Sequence, residues 1–169
     1  MLSESELIIR LLIAAGLGAT VGFERERSNK VAGLRTHSLV AIGAALISIL
    51  SVYGFEDVAK GPGYDPSRLI SNIIVGIGFI GGGAILHSGP RVIGTTTAAT
   101  LWLVAAIGIA SGLGFYLGAV SATVIAYIIL TVLWQIENKF SKKITYPSLM
   151  NESDEFGPEH LKEDNSNEG

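Results

Sequence analysis

Five long apolar segments, separated by short polar ones, constrain this chain most strongly. They cover residues 7–23, 34–54, 69–86, about 97–112 and 115–136. A bilayer core about 30 Å thick needs roughly 20 mostly apolar residues in an α-helix, which rises about 1.5 Å per residue. Only 16% of the residues are charged, against about 25% in a typical soluble domain. The sequence therefore predicts an all-α fold, a polytopic transmembrane helical bundle with about five spans.

The boundary between the fourth and fifth segments leaves one alternative open. Residues 97–136 are too many for a single span, and Gly112-Leu-Gly114 is the break between the two segments. These glycines, with Ser111, favour a tight hairpin. The alternative is a bundle of four spans with one re-entrant segment.

Lys and Arg are distributed unevenly over the two membrane faces that five spans define. One face would hold eight bases near the membrane, namely Arg25, Arg27, Lys30, Arg35, Arg91, Lys139, Lys142 and Lys143. The other face would hold three, which are Arg10, Lys60 and Arg68. Because cytoplasmic loops carry the excess of Lys and Arg, we expect a multi-pass protein of the cell inner membrane. Its N-terminus would lie outside and its C-terminus in the cytoplasm.

The chain divides by composition into two parts. Residues 1–143 form the predicted transmembrane domain, and residues 144–169 are polar and rich in acids. Such a short polar segment cannot bury enough apolar surface to fold alone. We therefore expect a disordered acidic cytoplasmic tail.

Small residues recur at four-residue spacing in most of the apolar segments. The glycines that we expect to pack helices together are Gly18, Gly22, Gly78, Gly82, Gly108 and Gly112. Small residues matter because helices in lipid associate through close packing more than through hydrophobicity. The pattern predicts packing within the chain. Alternatively, one ladder holds a homo-oligomer such as a dimer, and Ala14, Gly18 and Gly22 fit that role best.

The glycine run at residues 76–83 has two interpretations. A helix interrupted there would expose backbone carbonyls to a cation, as in some transporters. A very close crossing of two helices needs the same glycines, and we favour the crossing.

Polar residues from three segments meet at the boundary that the charge distribution assigns to the cytoplasm. The predicted pocket at this rim contains Glu24, Arg25, Glu26, Arg35, Thr36, Arg91, Thr95, Thr96 and Thr97. A helix start capped by threonines, beside Arg35 and Arg91, would suit an anion. The glutamates would pair with those arginines or bind a hydrated Mg2+ ion. Alternatively, the bases merely set the topology and pair locally with the glutamates.

Several functions are excluded by what the sequence lacks. It contains no cysteine, no HExxH, Walker or GxSxG motif, and no pair of carboxylates inside a span. We therefore expect no enzymatic activity, no cofactor and no nucleic-acid partner, and the sequence assigns no metal ligand. Ionisable residues inside spans usually mark ion pathways. Their absence from the middle of every span argues against a divalent-cation permease acting alone.

Five motifs, in order and spacing, resemble the MgtC/SapB family of bacterial inner-membrane proteins. They are Gly22-Phe-Glu-Arg-Glu-Arg27, residues 32–40 beginning Ala-Gly-Leu-Arg-Thr-His, Asp65-Pro-Ser-Arg68, the glycine-rich residues 75–85, and residues 94–108 beginning Gly-Thr-Thr-Thr-Ala-Ala-Thr-Leu-Trp. The resemblance implies a five-span domain with a cytoplasmic C-terminus and a link to magnesium homeostasis or stress adaptation. We expect a regulatory factor acting through its own dimer or a membrane protein partner. The alternative is a transporter, or transport subunit, for Mg2+ or another small ion.

Overall fold

The structure is a computed structural model that describes residues 2–55, 64–88 and 91–141. Its helices are α1 (Glu4–Arg27), α2 (Leu34–Tyr53), α3 (Ser67–Gly83), α4 (Thr95–Gly112), α5 (Tyr116–Ile128) and α6 (Trp134–Ser141). A π-helical segment, Ile129–Leu133, lies between α5 and α6. Two short antiparallel strands, β1 (Leu86–Ser88) and β2 (Arg91–Ile93), connect α3 to α4. The predicted all-α, polytopic helical bundle is confirmed.

Contacts divide the chain into two compact units, Met1–Leu133 and Trp134–Gly169. The first unit carries α1 to α5, both strands and the π-helical segment. Of the second unit the structure describes α6. The acidic tail predicted for residues 144–169 lies outside the described residues.

Within the residues that the structure describes, four helical segments are long and apolar enough to cross a membrane. They are Glu4–Arg27, Leu34–Tyr53, Thr95–Gly112 and Tyr116–Ile136. Helix α3 is apolar but has only 17 residues, so it is shorter than these four, and it ends before the expected segment 69–86 does. It ends early because Leu86 pairs with Ile93 in the hairpin, while the glycines before Ala84 propagate a helix poorly.

Side chains and glycines fix where the helices begin. The Ser3 hydroxyl accepts a hydrogen bond from the Glu6 N–H at 3.2 Å and caps α1. At the start of α2, the Glu26 carboxylate accepts one from the Leu34 N–H at 2.9 Å. Gly94 precedes α4 with φ of 96°, a left-handed conformation that glycine adopts without steric cost.

A tight turn at residues 113–115 joins α4 to α5. Gly114 has φ of 81°, and the Phe115 N–H donates to the Ala110 carbonyl at 2.8 Å. The structure thus contains the hairpin that Gly112 and Gly114 predict, rather than one continuous helix.

Helices α1, α2 and α4 form a closely packed core. A Cβ added at Gly18 would lie 2.8 Å from both the Ala41 Cβ and the His37 carbonyl oxygen of α2. One added at Gly112 would lie 2.5 Å from the Ala45 carbonyl oxygen. Gly22 and Gly108 are equally tight against α2. The predicted ladder of α1 is therefore covered by α2 of the same chain and leaves no room for a second copy there.

The glycines of α3 behave differently from those of α1 and α4. Gly81 faces Ala98 of α4, where an added Cβ would make an ordinary 3.5 Å contact. Gly78 and Gly82 have no atom within 4 Å of an added Cβ. Both glycines are exposed, because α3 turns its Gly81 side to the bundle. The expectation that they pack helices of this chain together is not met.

The outer surface of the bundle is apolar. Large side chains such as Phe79 and Leu117 are 88% and 80% exposed. Water would not tolerate so many exposed apolar groups, whereas lipid tails are a suitable solvent for them. This surface, together with the spans, makes the chain a membrane protein.

Candidate functional site

The first polar cluster lies at the Glu24 end, the end of the bundle where α1 finishes and α2 and α4 begin. Glu24 and Arg25 are both buried there and form an ion pair. The Ser28 hydroxyl donates to the other oxygen of the Glu24 carboxylate at 2.8 Å. A buried ion pair is tolerated when hydrogen bonds satisfy the remaining lone pairs. Arg25 therefore pairs locally, as the alternative sequence interpretation expects.

The other predicted residues of the rim are spread over the surface. Glu26 is exposed and caps α2 through the Leu34 N–H. Arg35 is exposed and Thr36 is half-buried, and the side chain of Arg91 lies outside the described part. Among the residues that the structure covers, no three His, Cys, Asp or Glu side chains are grouped to hold a metal ion.

His37 links α2 to α4 beneath this end. Its ring is fully buried, with Nδ1 2.9 Å from the Gly33 carbonyl oxygen and Nε2 3.1 Å from the Thr100 hydroxyl. A carbonyl oxygen only accepts, so Nδ1 carries the hydrogen. The Thr100 hydroxyl also lies 2.9 Å from the Thr97 carbonyl. The buried His37 ring thus connects α2 to α4 through the Thr100 hydroxyl.

A cavity of about 340 Å³, here called the threonine cavity, opens at the same end. Residues 29–31 after α1 and residues 92–97 at the start of α4 line it. It brings Thr95, Thr96 and Thr97 together as the sequence predicts, and it adds Lys30, which sequence reasoning used only for topology. Glu24, Arg25, Glu26, Arg35 and Thr36 do not line it.

The second polar cluster surrounds Arg10 and was missed by sequence reasoning. Arg10 is 6% exposed, and its Nη1 donates to the Gly112 carbonyl at 2.7 Å. The guanidinium also pairs with Glu6 and lies 5.5 Å from the centre of the Tyr53 ring. Arg10 therefore ties α1, α2 and α4 together. The spacing of Glu6 and Arg10, one helical turn, was the available signal, but it cannot reveal Gly112.

An apolar groove of about 620 Å³ lies between α2 and α3. We call it the α2–α3 groove. Its lining is Leu39, Val40, Gly43, Ala44 and Ile47 of α2, Leu69, Asn72, Ile73, Gly76, Ile77 and Ile80 of α3, and Ala105 of α4. Gly43 and Gly76 have no atom within 4 Å of an added Cβ. The groove therefore offers open space beside bare backbone, with the Asn72 amide as its polar group.

Most of the helical bundle and the Glu24 end lie within a segment that matches a known family. The MgtC family model matches residues 11–139, which is most of the 169 residues. The chain belongs to the MgtC family. The resemblance inferred from the five motifs is thereby confirmed.

Two relatives illustrate how much of this MgtC-family chain is shared. The putative magnesium transporter YhiD of Escherichia coli is 42% identical over 141 residues, covering 82% of this chain and 66% of YhiD. Protein MgtC of Salmonella typhimurium is 44% identical over 118 residues, covering 70% of this chain and 48% of MgtC. The chain thus spans about half to two thirds of the length of these relatives. No solved structure matches it.

Proposed function

We propose that the chain is a regulatory membrane protein linked to magnesium homeostasis. In this proposal it acts by binding a transmembrane helix of a partner protein in the α2–α3 groove. The magnesium link rests on family membership and on the relative named a putative magnesium transporter. The mode of action rests on the groove, which is the observation that carries the proposal.

The groove suits a helix because of what lines it. In lipid, helices associate where small residues let backbones approach closely. Gly43 and Gly76 provide that approach on the two sides of the groove. The Asn72 amide can donate and accept a hydrogen bond across a helix pair. The glycines of α1 and α4 are already used inside the bundle, so the open glycines of α3 remain for a partner.

The carboxylates of the Glu24 end favour regulation over transport. Glu24 is held by Arg25 and Ser28, and Glu26 caps α2. Both are therefore engaged in holding the bundle together, whereas an ion carrier needs carboxylates free to bind its ion.

Site-specific crosslinking in native membranes tests the proposal. A photoreactive amino acid replacing Ile73 in the groove should give a discrete product with another membrane protein, in cells grown at low magnesium. The same group replacing Leu12, on the exposed face of α1, is the matched control and should label only lipid. A product of twice the chain's mass would identify a homodimer instead. Labelling of lipid alone at both positions would refute the docking role.

A second candidate function is Mg2+ transport, which the printed name of YhiD favours. Purified protein in liposomes should give no Mg2+ flux if the chain is only a regulator. A flux that follows the imposed gradient, and that Glu24→Gln abolishes, would contradict the regulatory proposal. No flux under any gradient would exclude the transporter.

We also propose that the Glu24 end faces the cytoplasm, as the distribution of Lys and Arg favours. The chain has no cysteine, so single cysteines report accessibility cleanly. In intact cells, a membrane-impermeant maleimide should label Ser5→Cys and spare Asn29→Cys. The reverse pattern would invert the topology.

A further inference from the structure

We propose that His37 is a proton-operated switch, in which proton uptake by its ring releases the start of α4 from α2 at the Glu24 end. In the structure the switch is closed, and the ring joins the two helices through the Thr100 hydroxyl. The proposal goes beyond the regulatory function, because it involves neither the α2–α3 groove nor a partner protein.

The hydrogen bonds of the His37 ring fit its neutral form. Nδ1 lies 2.9 Å from the Gly33 carbonyl oxygen and carries the hydrogen, which leaves Nε2 as an acceptor in a neutral ring. Nε2 lies 3.1 Å from Thr100 Oγ1, a hydroxyl that can donate to it. Uncharged groups therefore satisfy both ring nitrogens, and the closed contact between α2 and α4 is built around a neutral imidazole.

A charged ring would have no counter-charge at this position. His37 is fully buried, and the charged groups that act on its ring among the described residues are Glu24 and Arg25 of α1. These two form an ion pair, so the carboxylate is already neutralised. Helix α4 contains no Asp, Glu, Lys, Arg or His, and Arg35 of α2 adds only positive charge. Because a buried, unpaired charge is strongly unfavourable, the ring must become hydrated when it takes up a proton.

The threonine cavity gives water a short route to the ring. Thr97 lines this cavity of about 340 Å³, and the Thr97 carbonyl oxygen lies 2.9 Å from the Thr100 hydroxyl. The same hydroxyl contacts Nε2 of His37. A single hydroxyl group thus separates the acceptor nitrogen from a residue of the cavity wall. A proton taken up from water in the cavity binds Nε2, and the imidazole becomes an imidazolium with a hydrogen on each nitrogen.

The side of His37 that faces α4 is the side that can open. On the α1 side, a Cβ added at Gly22 would lie only 3.0 Å from the His37 Cβ, so the two helices are in close contact there. On the α4 side, the ring is held through one hydroxyl, that of Thr100, beside the threonine cavity. Farther along α4, Gly108 is tight against the Ala41 backbone. We therefore expect the start of α4 to separate from α2 while the rest of the helix stays in place.

The pH dependence follows from proton linkage. The closed state holds a neutral His37, whereas the open state exposes a histidine that is half charged at a pH of about 6.5. Above that pH the closed state is favoured. Below it, the ratio of open to closed molecules should rise by up to about tenfold for each pH unit, because opening is coupled to the uptake of one proton.

Pulsed EPR distances between two nitroxide labels on the full chain test the proposal. The labels are attached to Arg35→Cys on α2 and Thr96→Cys on α4, two exposed positions, in lipid nanodiscs equilibrated between about pH 8 and about pH 5. One short distance is expected at the upper pH. A second, longer distance should appear as the pH falls below about 6.5, with the tenfold dependence given above. Absence of the longer distance throughout this range would overturn the proposal.

Two histidine variants assign the response to one ring. His37→Gln keeps a donor and an acceptor but cannot become charged, so it should abolish the longer distance at every pH. His87→Gln, which removes a histidine of strand β1, is the matched control and should leave the response unchanged. A response that persists in His37→Gln, or that is lost in His87→Gln, would overturn the proposal.

Should His37→Gln fail to fold, NMR of the 15N-histidine-labelled chain decides. The signals of the two ring nitrogens distinguish a neutral His37, with its hydrogen on Nδ1, from a charged one. The ring should become charged over the same pH range in which the longer distance appears. A ring that is charged while only the short distance is present, or that stays neutral when the longer one dominates, would overturn the proposal.

Discussion

Two glycines in α1, only two residues apart, allow the packing of α1 on α2 to be tested within one helix. Gly18 faces α2, whereas Gly16 has no neighbouring atom within 4 Å of an added Cβ. Replacing either by alanine raises helix propensity by the same amount, up to about 1 kcal/mol. That gain cancels when the two variants are compared. The difference between their free energies of unfolding therefore reports only the contact between α1 and α2.

The structure gives the expected size of the difference in stability between Gly18→Ala and Gly16→Ala. The added Cβ at Gly18 would lie 2.8 Å from the His37 carbonyl oxygen and from the Ala41 Cβ, against 3.4 Å or more in an ordinary contact. Backbone cannot rotate away, so α1 and α2 must separate by about 0.6 Å to restore 3.4 Å. Overpacking of this kind costs typically about 1–3 kcal/mol. Gly18→Ala should therefore be about 1–3 kcal/mol less stable than Gly16→Ala.

Steric trapping of the protein in bicelles measures this free energy of unfolding directly. The wild type, Gly16→Ala and Gly18→Ala are compared under identical lipid conditions. Equal stabilities of the two variants would mean that α1 does not pack on α2 through Gly18, and the arrangement of the core would then be wrong.

Four further substitutions probe other contacts. Gly94→Ala should lower stability by at least about 1 kcal/mol, because φ of 96° is strained for alanine; thermal unfolding checks this. Arg10→Met should lower the free energy of unfolding by about 1.5–3 kcal/mol, the value of a hydrogen bond to a charged group. Tyr53→Phe should lower it less, because the 3.5 Å contact between the Tyr53 hydroxyl and Arg10 is long. Glu26→Ala should cost about 0.5–2 kcal/mol through loss of the α2 cap, and hydrogen exchange should rise at the Leu34 amide. If a variant has the same stability or the same exchange rate as the wild type, the corresponding contact does not stabilise the fold.

Much of the fold could be predicted because it depends on local pattern. Apolar length fixes the spans, and Gly112 and Gly114 predict the turn between α4 and α5. The shortening of α3 could not be predicted, because Leu86 is as apolar as the residues before it. Its place in a strand depends on pairing with Ile93 across the hairpin.

The site was predictable only in part for a related reason. Thr95, Thr96 and Thr97 follow one another in sequence, so they necessarily lie together at the start of one helix. Which bases approach them depends on how α1 ends, and the structure selects Lys30 over Arg35. The burial of Arg10 depends on Gly112, a residue far away in sequence. Contacts of that kind leave no periodic signal in either segment.

The contact between Arg10 and Gly112 has a consequence for how the chain is made. The two residues are 102 positions apart, and ribosomes add about 5–20 residues per second. The carbonyl that satisfies Arg10 is thus synthesised roughly 5–20 seconds after the arginine itself. During that interval Glu6, one turn away, is the partner that keeps the guanidinium neutralised. The first helix therefore enters the membrane carrying its own counter-charge, and the Gly112 carbonyl joins the existing pair of Glu6 and Arg10 when α4 arrives.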